Sequence, residues 1–206
     1  SSQQACTIGG NLANNSGGPH CLAYGVTSEH VAAVEVVLSD ASTVLLGAEV
    51  GDAVGYDLRG AYVGGEGTLG VAARIAVRLT PDPPVVRTLL LDFRSLVDAA
   101  ETVTGIIAAG IVPAALEMMD QTAVEAVENF VNAGYPRDAE AVLIVELDGL
   151  EDGVISEVKI VEKVGKENGV GTVRVATNDA ERELIWKGRR NAFGAIAHIR
   201  PGYYLH

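Results

Sequence analysis

The sequence is poor in cysteine and in basic residues, and it has no long apolar run. Its two cysteines, Cys6 and Cys21, show no metal-ligand spacing, so we interpret them as reduced thiols of a cytoplasmic protein. Fifteen Lys and Arg against 27 Asp and Glu give a formal net charge of −12. Because nucleic-acid binding requires a clustered basic surface, this balance argues against a nucleic-acid partner. No apolar stretch approaches the ~18 residues of a membrane-spanning helix, so we expect no transmembrane segment.

Several catalytic signatures are missing as well. The sequence contains no Ser-His-Asp nucleophile pattern, no Walker loop and no zinc motif. His198 and His206 are possible bases or ligands, but a lone histidine after a helix is more often structural. We therefore expect no metal site and assign no catalytic residue. The composition, 48% hydrophobic and 20% charged, is typical of a packed protein, and 206 residues suit one large domain or two small ones.

A glycine-rich segment near the start of the chain, residues 9–19 (GGNLANNSGGP), is the first motif of interest. Its four glycines permit backbone conformations that other residues disfavour and allow close approach of a ligand. We predict a loop, because Asn and Ser beside glycine favour turns. Successive N–H groups in such a loop can form a concave binding surface for phosphate or for a ring rich in hydrogen-bond acceptors. The alternative is a solvent-exposed loop without function.

A second glycine-rich segment, residues 64–71 (GGEGTLGV), follows GYDL at residues 55–58, and Tyr24-Gly25 lies between the two glycine-rich segments. With these four motifs in this order, the chain resembles the FAD-linked oxidases of the vanillyl-alcohol oxidase type. Members carry GG-x-x-A-x-N-x-GG, Y-G, G-Y-D-L and G-[SG]-E-G-T-L-G at about this spacing. Within the family, the resemblance is to the flavin subunit of glycolate oxidase and to D-lactate and D-2-hydroxyacid dehydrogenases.

The fold class that we expect is α+β with two domains. Three prolines within residues 81–84 predict a stiff linker and a boundary there. Residues 1–82 resemble the second, C-terminal half of a vanillyl-alcohol-oxidase-type FAD-binding domain. Strands that alternate with helices over residues 83–206 predict a ferredoxin-like domain with helices on one face of a largely antiparallel sheet. In the family this is the substrate or cap domain.

The chain begins at Ser1 almost inside a motif and ends at His206 in an apolar-aromatic stretch. We interpret it as a fragment that lacks the N-terminal half of the FAD-binding domain and is incomplete at the C-terminus. By itself we expect the fragment to be inactive.

Hydrophobic periodicity and turn residues predict the individual elements. Ser95, Asp120 and Asp152 are predicted helix caps, and either Asn178 or Asp179 caps the last helix. The predicted strands are 31–38, 43–46, 71–79, 86–93, 114–119, 141–147 and 171–177, and the predicted helices span 96–109, about 120–132, 152–168 and about 179–197.

The resemblance implies FAD as the cofactor and assigns its contacts to the two glycine-rich segments and to Tyr24-Gly25. Glu66 could instead be a solvated turn carboxylate, and Tyr24 and Tyr56 could equally be core aromatics. The implied cofactor-binding residues are Gly9, Gly10, Asn14, Asn15, Gly17, Gly18, Tyr24, Gly25, Glu66, Gly67, Thr68, Gly70 and Val71.

Two segments of the second half also match the family, residues 115–120 at a strand–helix junction and Trp186 to Phe193 in its W-x-x-R helix. The resemblance implies that Arg189 binds the substrate carboxylate, for which a planar guanidinium is suited through a bidentate pair. The alternatives are that Arg189 is a solvated helix residue or that its neighbour Arg190 takes this role.

The implied function is oxidation of a small 2-hydroxyacid, such as glycolate or D-lactate, to the 2-oxoacid by hydride transfer to FAD. Electrons would then pass to an iron-sulfur subunit or a quinone. We expect a cytoplasmic protein, with attachment to the inner membrane through partner subunits as a further expectation. An alditol or alcohol oxidase on the same scaffold and a non-catalytic binding module are the alternative interpretations.

Overall fold

The computed structural model describes residues 5–51 and 53–199, which fall into two compact units that divide between Asp82 and Pro83. Residues 78–83 between the units form neither helix nor strand. Prolines lack the N–H that a helix or a central strand requires, which accounts for this interruption. Each unit has its own hydrophobic core.

The first unit contains a three-stranded antiparallel sheet of β1 (Val31–Val37), β2 (Thr43–Gly47) and β3 (Val71–Val77), with β1 in the centre. This confirms the predicted hairpin of β1 and β2. Ala41 adopts a positive φ of 66° in its turn, a position where glycine is usual. The turn is supported by Asp40, whose Oδ1 accepts a hydrogen bond of 2.9 Å from the Ser42 N–H.

Among the described residues of this unit, four short helices accompany the sheet: α1 (Ile8–Asn14), α2 (Cys21–Tyr24), α3 (Thr27–His30) and α4 (Leu58–Tyr62). The prediction of a loop over the first glycine-rich segment is wrong for residues 9–14, which are helical. Thr7 caps α1 by accepting a hydrogen bond of 3.0 Å from the Gly10 N–H, and Leu12 is 1% exposed in the core of the unit. The cap and this burial outweigh the cost of about 1 kcal/mol that each helical glycine carries.

The second unit follows the β-α-β-β-α-β ferredoxin-like plan, with α6 as an additional helix between its second and third strands and α8 after its fourth. Every pair of neighbouring strands is antiparallel, in the order β5-β6-β4-β7. The elements are β4 (Val85–Phe93), α5 (Leu96–Ala108), β5 (Ala115–Asp120), α6 (Gln121–Phe130), β6 (Ala141–Gly149), α7 (Glu151–Glu167), β7 (Val170–Val175) and α8 (Asp179–Ile199).

Helices cover both faces of this sheet, so the expectation of helices on one face is wrong. Leu91 and Leu143 pack on one face with residues of α5 and α7, while Leu90 and Ile144 pack on the other with residues of α6 and α8. The physical reason is visible in β6, whose first seven residues are all buried. A strand that is apolar at consecutive positions must be covered on both sides.

The helix caps agree with the sequence at three positions and differ at one. The Ser95 and Asp120 side chains accept hydrogen bonds from Asp98 N–H and Ala123 N–H, and Asn178 Oδ1 accepts one from Glu181 N–H. Asp152 is not the cap that was predicted, because α7 begins at Glu151. Asp152 lies in the first turn, where a carboxylate interacts favourably with the helix dipole.

Candidate functional site

The two glycine-rich segments, more than 40 residues apart in sequence, meet at the C-terminal end of α1. The Gly64 N–H donates to the Leu12 carbonyl and the Glu66 N–H donates to the Ala13 carbonyl, both at 2.9 Å. The last carbonyls of a helix have no partner within the helix, so the second segment supplies the missing donors. These contacts fix the relative position of the two segments.

Asn15 and Ser16, at the C-terminal end of α1, form hydrogen bonds to residues of α3. Asn15 ends α1 with a left-handed φ of 47°, and its Oδ1 accepts a hydrogen bond of 2.9 Å from the Ser28 N–H. The Ser16 carbonyl accepts hydrogen bonds from the N–H and the hydroxyl of Thr27, at 3.1 and 2.7 Å. The side-chain oxygen of Asn15, one of the implied flavin contacts, therefore already has a structural partner.

A cavity of about 210 Å³ lies between α1 and residues 65–72. Gly9, Gly67, Gly70 and Val71, all assigned to the cofactor from the sequence, line it. A Cβ atom on Gly9 or on Gly67 would meet no protein atom within 4 Å, so a ligand can approach the backbone there. Six lining residues were not expected from the motifs: Leu12, Ala13, Tyr62, Gly65, Leu69 and Ala72.

Tyr62 closes part of this cavity and was missed by the sequence analysis. Its hydroxyl donates a hydrogen bond of 3.0 Å to the Gly70 carbonyl, and burial raises the pKa of the phenol. Helix α4, which carries Tyr62, is capped by Asp57 through a hydrogen bond of 2.9 Å from the Gly60 N–H. The signal in the sequence was an aromatic residue two positions before the second glycine-rich segment.

The GYDL motif has a structural role in the first unit. Besides capping α4, Asp57 pairs with Arg59 at 2.8 Å, and Arg59 also donates to the Val31 carbonyl on β1 at 2.6 Å. The Arg59 guanidinium is the main reason that the pKa of the Asp57 carboxyl lies below its ordinary value. Tyr56 is 94% exposed, which rules out the interpretation that it is a core aromatic.

The remaining implied cofactor residues do not line the cavity. Thr68 uses its hydroxyl to donate to the Gly65 carbonyl at 2.6 Å, and the Asn14 amide donates to the Gly10 carbonyl at 3.0 Å. Glu66 is exposed and has a positive φ of 50°, as expected of a turn residue. The others of this group are Gly10, Asn15, Gly17, Gly18, Tyr24 and Gly25.

The cavity suits part of a flavin nucleotide. Ligand pockets of drug-sized molecules measure about 300–1,000 Å³, so about 210 Å³ is too small for the whole of FAD. Its walls combine accessible glycine backbone with the apolar side chains of Leu12, Leu69 and Val71. Such walls can pack against a ring system and offer it backbone hydrogen bonds. The described residues therefore fit one portion of the cofactor.

In the second unit, Arg189 on α8 forms an ion pair with Glu117 on the edge strand β5. The Arg189 Nε lies 2.7 Å from the Glu117 Oε2, and the two side chains are 26% and 20% exposed. Its Nη groups make no hydrogen bond within residues 5–51 and 53–199. Arg190 instead pairs with Glu183 of the same helix at 2.5 Å and is 42% exposed. Glu117 was not expected from the sequence to have this role.

The helical turn before Arg189 is held against the sheet by buried polar contacts. The Trp186 Nε1–H donates to the Glu146 Oε2 at 2.6 Å, and the Thr88 hydroxyl donates to the same oxygen at 2.5 Å. The Tyr135 hydroxyl donates to the Ile185 carbonyl, and burial raises the pKa of this phenol far above its ordinary value. The sequence carried one signal of this arrangement, because Glu146 is the only charged residue in the apolar run of β6 over residues 141–147.

Metal binding finds no support in the part of the chain that the structure describes, which has no group of three or more His, Cys, Asp or Glu placed to hold an ion. The His198 Nδ1 lies 2.8 Å from the Gly194 carbonyl, and its ring contacts Phe130. His206 lies outside the described residues. None of the helices in residues 5–51 and 53–199 is long and apolar enough to cross a membrane.

Comparison with known families gives two matches. Residues 82–206 match the family described as FAD linked oxidases, C-terminal domain. Residues 1–47 match the family described as FAD binding domain. Helix α1, which carries Gly9 and Gly10, lies within the second of these matched regions, and helix α8, which carries Arg189, lies within the first.

Two curated relatives and one solved structure illustrate the similarity. The chain is 47% identical over 204 residues to the glycolate oxidase subunit GlcD of Escherichia coli K12, covering 99% of this chain and 41% of that protein. It is 30% identical to a probable mitochondrial D-lactate dehydrogenase of Danio rerio, covering 94% and 39%. A structure of alkyldihydroxyacetonephosphate synthase has a TM-score of 0.69 at 17% identity, covering 90% of this chain and 36% of that one. The chain thus spans about two fifths of the curated relatives it matches.

Proposed function

The chain belongs to the FAD-linked oxidases, as its motifs indicated, and from this premise we propose that the protein containing it oxidises a small 2-hydroxyacid to the 2-oxoacid with FAD. The relatives named glycolate oxidase subunit and D-lactate dehydrogenase support glycolate or D-lactate as the type of substrate. Residues 1–82 contribute the second half of the FAD-binding domain, and residues 83–206 contribute the substrate or cap domain.

The residues around the first-unit cavity hold one portion of the cofactor in this proposal. Gly9 and Gly67 leave the backbone accessible, while Leu12 and Tyr62 keep the wall rigid through burial. The implied contacts at Gly10, Asn14, Asn15, Gly17, Gly18, Tyr24, Gly25, Glu66, Thr68, Gly70 and Val71 are kept as proposals. When bound, FAD supplies the acceptor for the hydride that leaves the α-carbon of the substrate.

Arg189 binds the substrate carboxylate in this proposal, and its ion pair with Glu117 is the observation that carries it. The guanidinium is held at its Nε by Glu117, and its Nη groups make no hydrogen bond to the described residues. A guanidinium stays protonated in proteins, so it presents a fixed positive charge and a planar pair of donors. A carboxylate accepts such a pair in bidentate geometry. Arg190 is the weaker candidate because its Nη2 is paired with Glu183.

The test is a pair of variants, Arg189→Met and Arg189→Lys, in the complete protein, with Arg190→Met as the matched control. Loss of a charge-assisted contact costs about 1.5–3 kcal/mol, which corresponds to a loss of roughly 10- to 150-fold in kcat/KM for glycolate and D-lactate. The flavin absorbance of the purified protein checks that the cofactor is retained. Turnover of 1,2-propanediol, which has the hydroxyl but no carboxylate, should change little.

Three outcomes would contradict the proposal in different ways. Purified protein without flavin would remove the cofactor from the proposed function. A larger loss in Arg190→Met than in Arg189→Met would move the carboxylate site to the neighbouring residue. Unchanged hydroxyacid turnover in both variants, with comparable turnover of the diol, would favour an alcohol oxidase.

The partners and location that we propose rest on the relatives. We propose that electrons leave the reduced cofactor to an iron-sulfur subunit or a quinone, since the relative from Escherichia coli is named as a subunit of an oxidase. The protein would be cytoplasmic and attached to the inner membrane through such partners. Co-purification of the tagged complete protein, followed by iron analysis and cell fractionation, tests both statements.

A further inference from the structure

We propose that Glu117 is a positioning residue, which orients the Arg189 guanidinium so that its Nη groups are presented to the substrate carboxylate. This inference rests on the proposed role of Arg189 in hydroxyacid binding. It adds a second residue to the substrate site, one that acts through Arg189 and does not touch the substrate.

The first observation is that Glu117 uses only the Nε–H of the Arg189 guanidinium and leaves its Nη groups available. An arginine offers five N–H donors in a rigid planar fork, one on Nε and two on each Nη. Glu117 accepts from Nε through Oε2 at 2.7 Å. The opposite edge of the fork, formed by the two Nη groups, is the edge that can bind a carboxylate in bidentate geometry. The Glu117 contact and a substrate contact therefore do not compete for the same donors.

The second observation is the rigidity of the elements on both sides of the pair. Glu117 lies on β5, paired with Ile144 on β6, and its side chain is 20% exposed. On the other side, Tyr135 contacts the Ile185 carbonyl and Glu146 contacts Trp186, within one turn of Arg189. The backbone of α8 is fixed at this turn, so the long Arg189 side chain is the remaining mobile part. A carboxylate that holds it in place reduces the rotamer freedom lost on substrate binding.

The pair of Arg190 and Glu183 differs in each of these respects. Both members lie on α8, their side chains are 42% and 57% exposed, and Glu183 accepts from Nη2. An exposed pair of this kind contributes little, because both charges remain solvated. It provides a control with the same residue types on the same helix.

Glu117 also has an unfavourable effect on substrate binding, and this effect distinguishes the two variants of the test. Its negative charge lies near the site where a second carboxylate would bind, and like charges repel. Glu117→Gln removes the charge and keeps an oxygen that accepts from Nε, while Glu117→Ala removes both. If Glu117 acts by orientation, the glutamine variant retains binding and the alanine variant loses it.

The experiment compares Glu117→Ala, Glu117→Gln and the control Glu183→Gln in the complete flavin-containing protein. We measure kcat and KM for D-lactate and glycolate, and the inhibition constant of propionate, which has a carboxylate but no hydroxyl to oxidise. Glu117→Ala should raise KM and the propionate constant by about tenfold or more, with a smaller change in kcat. Glu117→Gln should stay within about threefold of the parent, and Glu183→Gln should be unchanged. In an Arg189→Met background, Glu117→Ala should add little, because the two residues act as one unit.

Other results would contradict either the positioning role of Glu117 or the carboxylate-binding role of Arg189. If Arg189→Met impairs binding and Glu117→Ala does not, the positioning role is wrong and the proposed function stands. If Arg189→Met leaves KM unchanged, the carboxylate role of Arg189 fails, and the inference fails with it. A loss in Glu117→Gln as large as in Glu117→Ala would show that charge matters and orientation does not.

Flavin content and the melting temperature of every variant identify losses that come from misfolding. If Glu117→Ala is not recovered folded, Glu117→Asp takes its place. That variant keeps the charge but shortens the reach by one methylene, so it should raise KM, and an unchanged KM would overturn the positioning role.

Discussion

Gly188 allows α8 to lie directly against the buried Tyr135 ring, and Gly188→Ala should therefore destabilise the second unit. A Cβ atom at position 188 would lie 2.5 Å from Cζ and 2.6 Å from Cε2 of Tyr135, well inside ordinary contact. The ring is 3% exposed and its hydroxyl is bonded to the Ile185 carbonyl, so it has no room to move aside. Either the ring or the helix must shift.

The expected size of the effect is a balance of three terms. Replacing a helical glycine by alanine stabilises by about 0.4–1 kcal/mol when the site is compatible. Overpacking costs about 1–3 kcal/mol, and a buried hydroxyl that loses its partner costs about 1–3 kcal/mol. The costs of overpacking and of the lost hydrogen bond together exceed the gain, so we expect the free energy of unfolding to fall by about 2–4 kcal/mol.

The assay is urea unfolding of the chain followed by the fluorescence of Trp186, its single tryptophan, which is buried two residues from the mutated position. Gly153→Ala is the matched control, because this glycine is exposed in α7 and a Cβ there meets no atom within 4 Å. The control should gain about 0.4–1 kcal/mol. A Gly188→Ala variant as stable as the control would refute the contact between Tyr135 and α8, and with it the rigid support of Arg189.

Two further predictions concern the chain as a whole. Limited proteolysis should cleave within residues 78–84 earlier than within either unit, since these residues form no helix or strand and Leu79 is 89% exposed. A protected core that spans residues 60–110 would contradict the domain boundary. The 206-residue chain should bind FAD weakly, because its cavity of about 210 Å³ fits only part of the cofactor and the pyrophosphate contacts are expected elsewhere. A purified chain that is yellow with stoichiometric FAD would contradict this prediction.

The sequence determined the type and order of most elements, because the signals for these are local. Apolar periodicity and the caps at Ser95 and Asp120 gave α5 and α6 to within a few residues. The hairpin of β1 and β2 followed from two apolar segments separated by a turn. The four ordered motifs identified the family, since glycines at fixed spacing reflect where a backbone must come close to a ligand.

Local signals failed where burial decided the conformation. Residues 9–14 contain two glycines and were expected to form a loop, but Leu12 is buried in the core and the segment is helical. The coverage of both sheet faces depends on where α6 and α8 pack, which no single element specifies.

The candidate site was only partly determined by the sequence. Motif matching selected Gly9, Gly67 and Arg189, but the contacts of these residues depend on segments distant in the chain. Tyr62 reaches the cavity because α4 carries it there, and Glu117 meets Arg189 across 72 residues of sequence. An ion pair of this kind leaves no periodic pattern in either segment, since its two members lie on different elements. Only the packing of α8 with α6 on one face of the sheet brings the carboxylate and the guanidinium together.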